Sequence, residues 1–271
     1  MIRRDRVAGI DFSGARNAGK LIWIAGGVVA EGGALRLETC YPASELPGSG
    51  ADKDQALPAL VTFLANAADA IIGLDFPFGL PSPLVREATW EEFIAGFPER
   101  HPNADSFRAS CINIAGGREL KRRTDVETKT PFSAYNLRLY RQTYEGIRNV
   151  LHPLITKDLA RAIPTQSPDN GKPILAEACP ASLLKSENLY PSYKGPSAEA
   201  ANARALILEG LMKRNLIEPL SPPLRKTLLE NKGGDALDAV IAAIIAIRAR
   251  NDPTALRTRD ALEEIETRVF C

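Results

Sequence analysis

The sequence predicts an α/β protein: a mixed sheet of three antiparallel strands with parallel additions, flanked by helices and carrying an inserted, mainly helical region. Three observations lead there. Three strand-like runs near the N-terminus are separated only by short Gly-containing turns, so they are expected to pair antiparallel. Two later apolar runs, 70–75 and 173–179, stand isolated between helical stretches, as strands covered on both faces do. The remainder, from residue 180 onward, is helical in period.

Residues 6–13 read as the first strand, 20–29 as the second and 33–39 as the third. A helix is expected within 54–68, where Leu57, Leu60, Val61 and Leu64 recur at helical spacing, which places Pro58 in its first turn. Ala70 to Asp75 is a fourth strand, stopped by Phe-Pro-Phe-Gly-Leu-Pro. Between 97 and 172 the chain turns polar and is broken by Pro and Gly. That stretch is expected to form an inserted subdomain or flap with a helix at 133–150. Pro173 to Cys179 is a fifth strand. Helices follow at 180–187, 197–215, 221–230 and 235–250, the last opened by Gly233-Gly234. Three antiparallel strands, then a helix and parallel strands, is the order of a ribonuclease-H-like sheet, so residues 1–271 are expected to be one such domain.

With 45% hydrophobic and 25% charged residues over 271 positions, the chain suits a globular protein with a sizeable core. A net charge of +1 excludes a polycation, so any nucleic-acid surface must come from local clustering. Cys40, Cys111, Cys179 and Cys271 are scattered and form no CxxC pair, which argues against structural zinc and fits a reducing cytoplasm. The charged start, Met-Ile-Arg-Arg-Asp-Arg, does not read as a signal peptide. The longest apolar run, Ala239 to Ile247, is too short to cross a bilayer. A cytoplasmic protein without a membrane partner is expected. His101 and His152 each precede a proline and read as loop residues rather than metal ligands.

Gly14, four residues, then Gly19-Lys20 is nearly a phosphate-binding loop. The residue after the lysine is Leu21 rather than Ser or Thr, and a strand-like run follows instead of a helix, so that reading is set aside. The acid in the same stretch then needs an explanation. Asp11, Asp75 and Glu177 are each the only charge in an otherwise apolar strand, where a lone carboxylate is costly unless it is paired, protonated or bound to a metal. Asp235 and Asp238 open the last helix three residues apart, on one face. The same face continues through Ala239, Ala242 and Ala246, a stripe of small residues that lets a helix approach a sheet closely. The plainer alternatives are a strand-end acid paired with a distant arginine and, for Asp235, a helix cap.

If the strand ends coincide, Asp11, Asp75, Glu177, Asp235 and Asp238 form one cluster, acting both as catalytic groups and as metal ligands. Carboxylates without His or Cys favour hard cations, Mg2+ or Mn2+. Two such ions can activate a water and stabilise the leaving oxygen of a phosphodiester. The inserted region adds cations among tyrosines. Lys121, Arg122, Arg123, Lys129, Tyr135 and Arg138 are its candidates for gripping a nucleic-acid strand. The competing reading is a solvated helix face whose tyrosines pack inward.

Gly9-Ile-Asp11, Leu74-Asp75-Phe-Pro-Phe-Gly79-Leu-Pro81, Ala176-Glu177-Ala-Cys-Pro180 and Asp235-Ala-Leu-Asp238-Ala together resemble the family known as domain of unknown function four-two-nine. The four motifs span nearly the whole chain in order. The resemblance implies a ribonuclease-H-like fold and a nuclease activity. The acids three apart also resemble the last helix of Holliday-junction resolvases. A metal-dependent nuclease or phosphodiesterase is therefore the expected function. A sugar-kinase or actin-like ATP-using enzyme, with Asp11 on Mg2+ and Ser13-Gly14 near phosphate, is the alternative enzyme. An inactive nucleic-acid-binding module is the alternative outside catalysis.

Overall fold

A computed structural model describes residues 4–271. The strands are β1 (Arg6–Asp11), β2 (Trp23–Val29), β3 (Leu35–Pro42), β4 (Ala70–Asp75), β5 (Arg161–Ile163), β6 (Ile174–Ala178) and β7 (Val269–Phe270). They form one mixed sheet in the order β3-β2-β1-β4-β6-β5, with β7 also paired to β6. The first three are antiparallel neighbours; β4, β6 and β5 add in parallel, giving a ribonuclease-H-like arrangement. β5 and β7, absent from the sequence reading, have three and two residues, too few to show an alternation.

The helices are α1 (Ala18–Leu21), α2 (Lys53–Ala65), α3 (Trp90–Arg100), α4 (Ala104–Ile114), α5 (Arg123–Glu127), α6 (Tyr140–Gly146), α7 (His152–Thr156), α8 (Pro180–Ser186), α9 (Ala198–Lys213), α10 (Pro222–Glu230), α11 (Asp235–Asn251) and α12 (Ala261–Glu266). Three elements depart from expectation. The second strand starts at Trp23, because Ala18–Leu21 makes a helical turn whose Gly19 N–H donates to the Ala51 carbonyl, 3.0 Å away. Pro58 lies in the second turn of α2, on its exposed side. The helix expected over 133–150 begins at Tyr140, since the Asn136 side chain accepts from Arg138 N–H at 2.9 Å and holds a turn there. A wider turn, Ile147–Leu151, carries it on into α7.

Two apolar clusters cover the two faces of the sheet. On one face Ile10, Ile72 and Leu74 pack with Phe93, Phe97 and Leu151. Residues between 97 and 172, including Phe107, Tyr135, Tyr144 and Leu154, belong to this cluster. His101 lies between Phe97 and Phe107, at 4.8 and 5.1 Å between ring centres, and burial pushes its pKa down to about 4. It closes α3 inside the aromatic core rather than sitting in an open loop. On the other face Val7, Ile71, Ala176 and Ala178 pack with α9 and α11. The four cysteines are free thiols. Among the described residues, no helix is long and apolar enough to cross a membrane.

The contact of α11 with the sheet fixes the depth of everything at its N-terminal end. Gly9 and Gly73 are register partners on β1 and β4. A Cβ on Gly9 would fall 2.0 Å from the Ala239 carbonyl oxygen, and one on Gly73 would fall 2.2 Å from that of Ala242. The alanine stripe read from the sequence therefore meets a pair of glycines, and backbone lies almost on backbone.

Candidate metal and phosphate site at the sheet edge

Asp11 is the last residue of β1 and Asp75 the last of β4, and the two are in-register neighbours of parallel strands. Successive strand side chains alternate between faces. Counting back by two, Asp11 and Asp75 share the face of Gly9 and Gly73, which is the α11 face. Asp238, in the first turn of α11, is buried against them. The turn starts at Gly234, whose φ of +81° is a left-handed conformation that favours glycine. Its carbonyl accepts from Asp238 N–H at 2.9 Å. Asp235 lies half-buried at the helix start, beside Asp238 and Lys194. Gly234 is the cap position, and no side-chain capping bond is made there.

Mutual proximity shows in the proton affinities. Burial, then the charges of Asp238 and Asp75, hold the Asp11 carboxyl well above the usual carboxylate range. Burial and Asp238 push Asp75 up to about 7, while a hydrogen bond with Asp11 pulls the other way. Asp238 is satisfied on both oxygens: the Tyr193 hydroxyl donates to Oδ1 at 2.6 Å and Lys194 Nζ lies 2.6 Å from Oδ2. Burial opposes the charge on Lys194, but Asp238 and Asp11 outweigh it and keep the ammonium protonated.

Glu177 lies at the same edge but on the other face. It pairs with Leu74, one residue short of Asp75, so the alternation turns it away from α11. There it meets Arg122, which is only 1% exposed. Arg122 Nη2 donates to Glu177 Oε1 at 2.5 Å and Nη1 donates to Oε2 at 2.8 Å, while Phe78 N–H and the Thr267 hydroxyl also reach Oε2. Asp125 accepts from Nε and Nη2, and the Glu266 carbonyl and Thr267 hydroxyl accept from Nη1. The expectation that Glu177 is an open metal ligand is thus corrected: its oxygens are filled by the distant-arginine pairing that the sequence left as the plainer alternative.

Arg122 is corrected with it, from a surface phosphate grip to a buried counter-ion. Tyr135 is corrected too, since its ring is wholly buried and its hydroxyl lies between Leu120 N–H and the Arg118 carbonyl. Tyr140 and Tyr144 also pack inward. Arg123 is held bidentate by Asp260. Lys121 donates to the Thr130 carbonyl at 2.6 Å, and Lys129 is exposed. Arg138 remains exposed, its guanidinium 5.6 Å from the centre of the Phe132 ring.

A cavity of about 310 Å³ opens at this edge. Asp75 and Asp238 line it with the Glu177–Arg122–Asp125 group, and Phe132, Arg138, Tyr190 and Lys194 line it as well. Tyr190, Tyr193 and Lys194 were not among the residues singled out from sequence. The stretch Leu-Tyr-Pro-Ser-Tyr-Lys-Gly falls between the helices expected at 180–187 and 197–215, and only its packing over the start of α11 brings it to the acids.

Among the described residues, no three His, Cys, Asp or Glu side chains are arranged as a ready metal-holding group. The chemistry of the open acids nevertheless suits a hard cation. Asp11 is 7% exposed, no protein cation pairs with it directly among the described residues, and neighbouring acids raise its pKa. Mg2+ characteristically takes one or two carboxylates and completes its shell with water and substrate phosphate. Asp11 and Asp75 fit that requirement. Comparison with protein families, with curated proteins and with solved structures finds no match to this chain.

Proposed function

We propose that the protein is a metal-dependent phosphodiester hydrolase acting on nucleic acid, as its resemblance to the domain of unknown function four-two-nine family implies. The observation that carries this reading is the in-register pair of the buried Asp11 and the half-buried Asp75, of which Asp75 lines, with Asp238, a cavity that also carries cations and aromatic rings. Asp11 and Asp75 would hold Mg2+ or Mn2+, which supplies a Lewis acid for the phosphoryl oxygen and an activated water. Lys194 and Arg138 are placed to bind the anionic oxygens of the substrate. Phe132 and Tyr190 offer ring faces to a base. Tyr193 fixes Asp238 through its hydroxyl and so sets where the Lys194 ammonium rests. At about 310 Å³ the cavity is at the small end of ligand sites and suits a nucleotide of a single strand or a frayed end rather than an intact duplex.

The test is cleavage of single- and double-stranded DNA, RNA, hybrids and branched substrates with Mg2+ or Mn2+, with ATP hydrolysis measured in parallel. Metal-dependent cleavage, highest on single strands and abolished by Asp75→Asn, is expected. ATP turnover without strand cleavage would replace this reading with that of an ATP-using enzyme.

A further inference from the structure

The carboxylates of the site divide into filled and open ones. Glu177 is saturated by Arg122, Phe78 N–H and Thr267. Asp238 gives one oxygen to Tyr193 and the other to Lys194. Asp11 and Asp75 remain, side by side on one face and bonded only to each other through their side chains. One small divalent ion can use that pair. A second would need Asp238 together with Asp235 at the helix start, and Asp238 is already held.

Lys194 is not a surface lysine that happens to reach an acid. The backbone on both sides of it is clamped by the buried Arg204, whose Nη1 donates to the Tyr193 carbonyl at 2.7 Å and to the Gly195 carbonyl at 3.2 Å. Gly195, at φ +122°, donates its N–H to the Lys232 carbonyl at 2.7 Å, pinning the loop to the segment that leads into α11. The Tyr193 ring covers Gly234, where a Cβ would come within 2.9 Å of it. From this fixed base the lysine side chain, 55% exposed, bends back to Asp238. One ammonium thus stands among Asp11, Asp75 and Asp238, with Asp235 beside them at the helix start.

We propose that Lys194 stands as a tethered cation where a second metal ion would otherwise sit, so that the site takes a single divalent ion between Asp11 and Asp75. The proposal rests on the metal-dependent reading above and narrows it from two ions to one. Of the three donors on the ammonium, Asp238 uses one, and the others are free for a phosphate oxygen.

Counting bound Mn2+ by electron paramagnetic resonance tests it, with the ion alone as the probe and Asp11→Asn as the baseline. One ion per chain is expected in the wild type and in Lys194→Arg, and none in Asp11→Asn. Lys194→Met, which frees Asp238, should bind two; Lys194→Gln gives the same reading if thermal melts show that the methionine variant is not folded. Two ions in the wild type would overturn the one-ion site while leaving the metal-dependent reading intact. One ion in both the wild type and the folded lysine variants would overturn the role of Lys194. No ion in the wild type would remove the metal-dependent reading itself, and this proposal with it.

Discussion

Arg122 spans two acids, Asp125 and Glu177, while almost none of its surface meets water. Removing one partner of a buried ion pair leaves the other charge stranded, at a cost of about 3–5 kcal/mol. Arg122→Ala should lose stability on that scale in urea denaturation. Pairing it with Glu177→Gln should recover part of the loss, because one stranded charge is then gone. A single variant as stable as the wild type would show that Glu177 finds another partner. Arg138 gives the contrasting case. It is exposed and stacked on Phe132, so Arg138→Ala should change stability by no more than about 0.5 kcal/mol. In filter binding the same variant should hold a single-stranded oligonucleotide more weakly, with a flatter salt dependence, because fewer counterions are released. An unchanged salt slope would take Arg138 out of the substrate path.

Helix α11 sets the position of Asp238 through its backbone contact with Gly9 and Gly73. No side chain separates helix from sheet there, so a methyl group at position 9 has nowhere to go but into the Ala239 and Ala243 backbone. Overpacking of this kind costs about 1–3 kcal/mol. Gly9→Ala should therefore be less stable, and because it displaces the helix that carries Asp238, it should also weaken Mn2+ binding. Chemical denaturation and a Mn2+ titration on the same preparation check the two together. A loss of stability with metal binding unchanged would show that the acids tolerate a shifted helix.

Across the whole molecule, the buried acids should make stability depend on pH in an unusual direction. Asp75 rises from an ordinary 3.8 to about 7 on folding, and Asp11 rises as well. Between those values the folded chain holds protons that the unfolded chain has released. This contribution is therefore full at acid pH and is lost as pH rises through about 7. Asp260, lowered to about 2 by Arg123, acts in the opposite sense at more acid pH. His101, lowered to about 4 by burial, acts in the opposite sense inside this window, but it is common to both proteins and cancels when the wild type is compared with Asp75→Asn. Thermal melts should show the wild type losing ground to Asp75→Asn between about pH 4 and pH 7. Mg2+ should reverse the loss, raising the wild-type melting temperature more at alkaline than at acid pH, because a cation binds the ionised carboxylates. A melting difference between the two proteins that does not change with pH would contradict the shared burial of these acids.

The sequence by itself determined the sheet class, the two longer parallel strands, the small-residue face of the last helix and the five acids at this edge of the sheet. Each follows from local information: strand runs between glycines, alanines at helical spacing, and lone carboxylates that an apolar strand does not tolerate without a purpose. What the tertiary structure decided is which acids are open. Whether Glu177 faces Asp75 or turns from it depends on a one-residue offset in register between β4 and β6, and no pattern within either strand records that offset. Arg122 and Lys194 reach their acids from 55 and 44 residues away in sequence, so neither pairing is visible until the chain is folded. The same composition could have left five free carboxylates. Two long-range pairings left Asp11 and Asp75 open at the centre, with Asp235 at the margin.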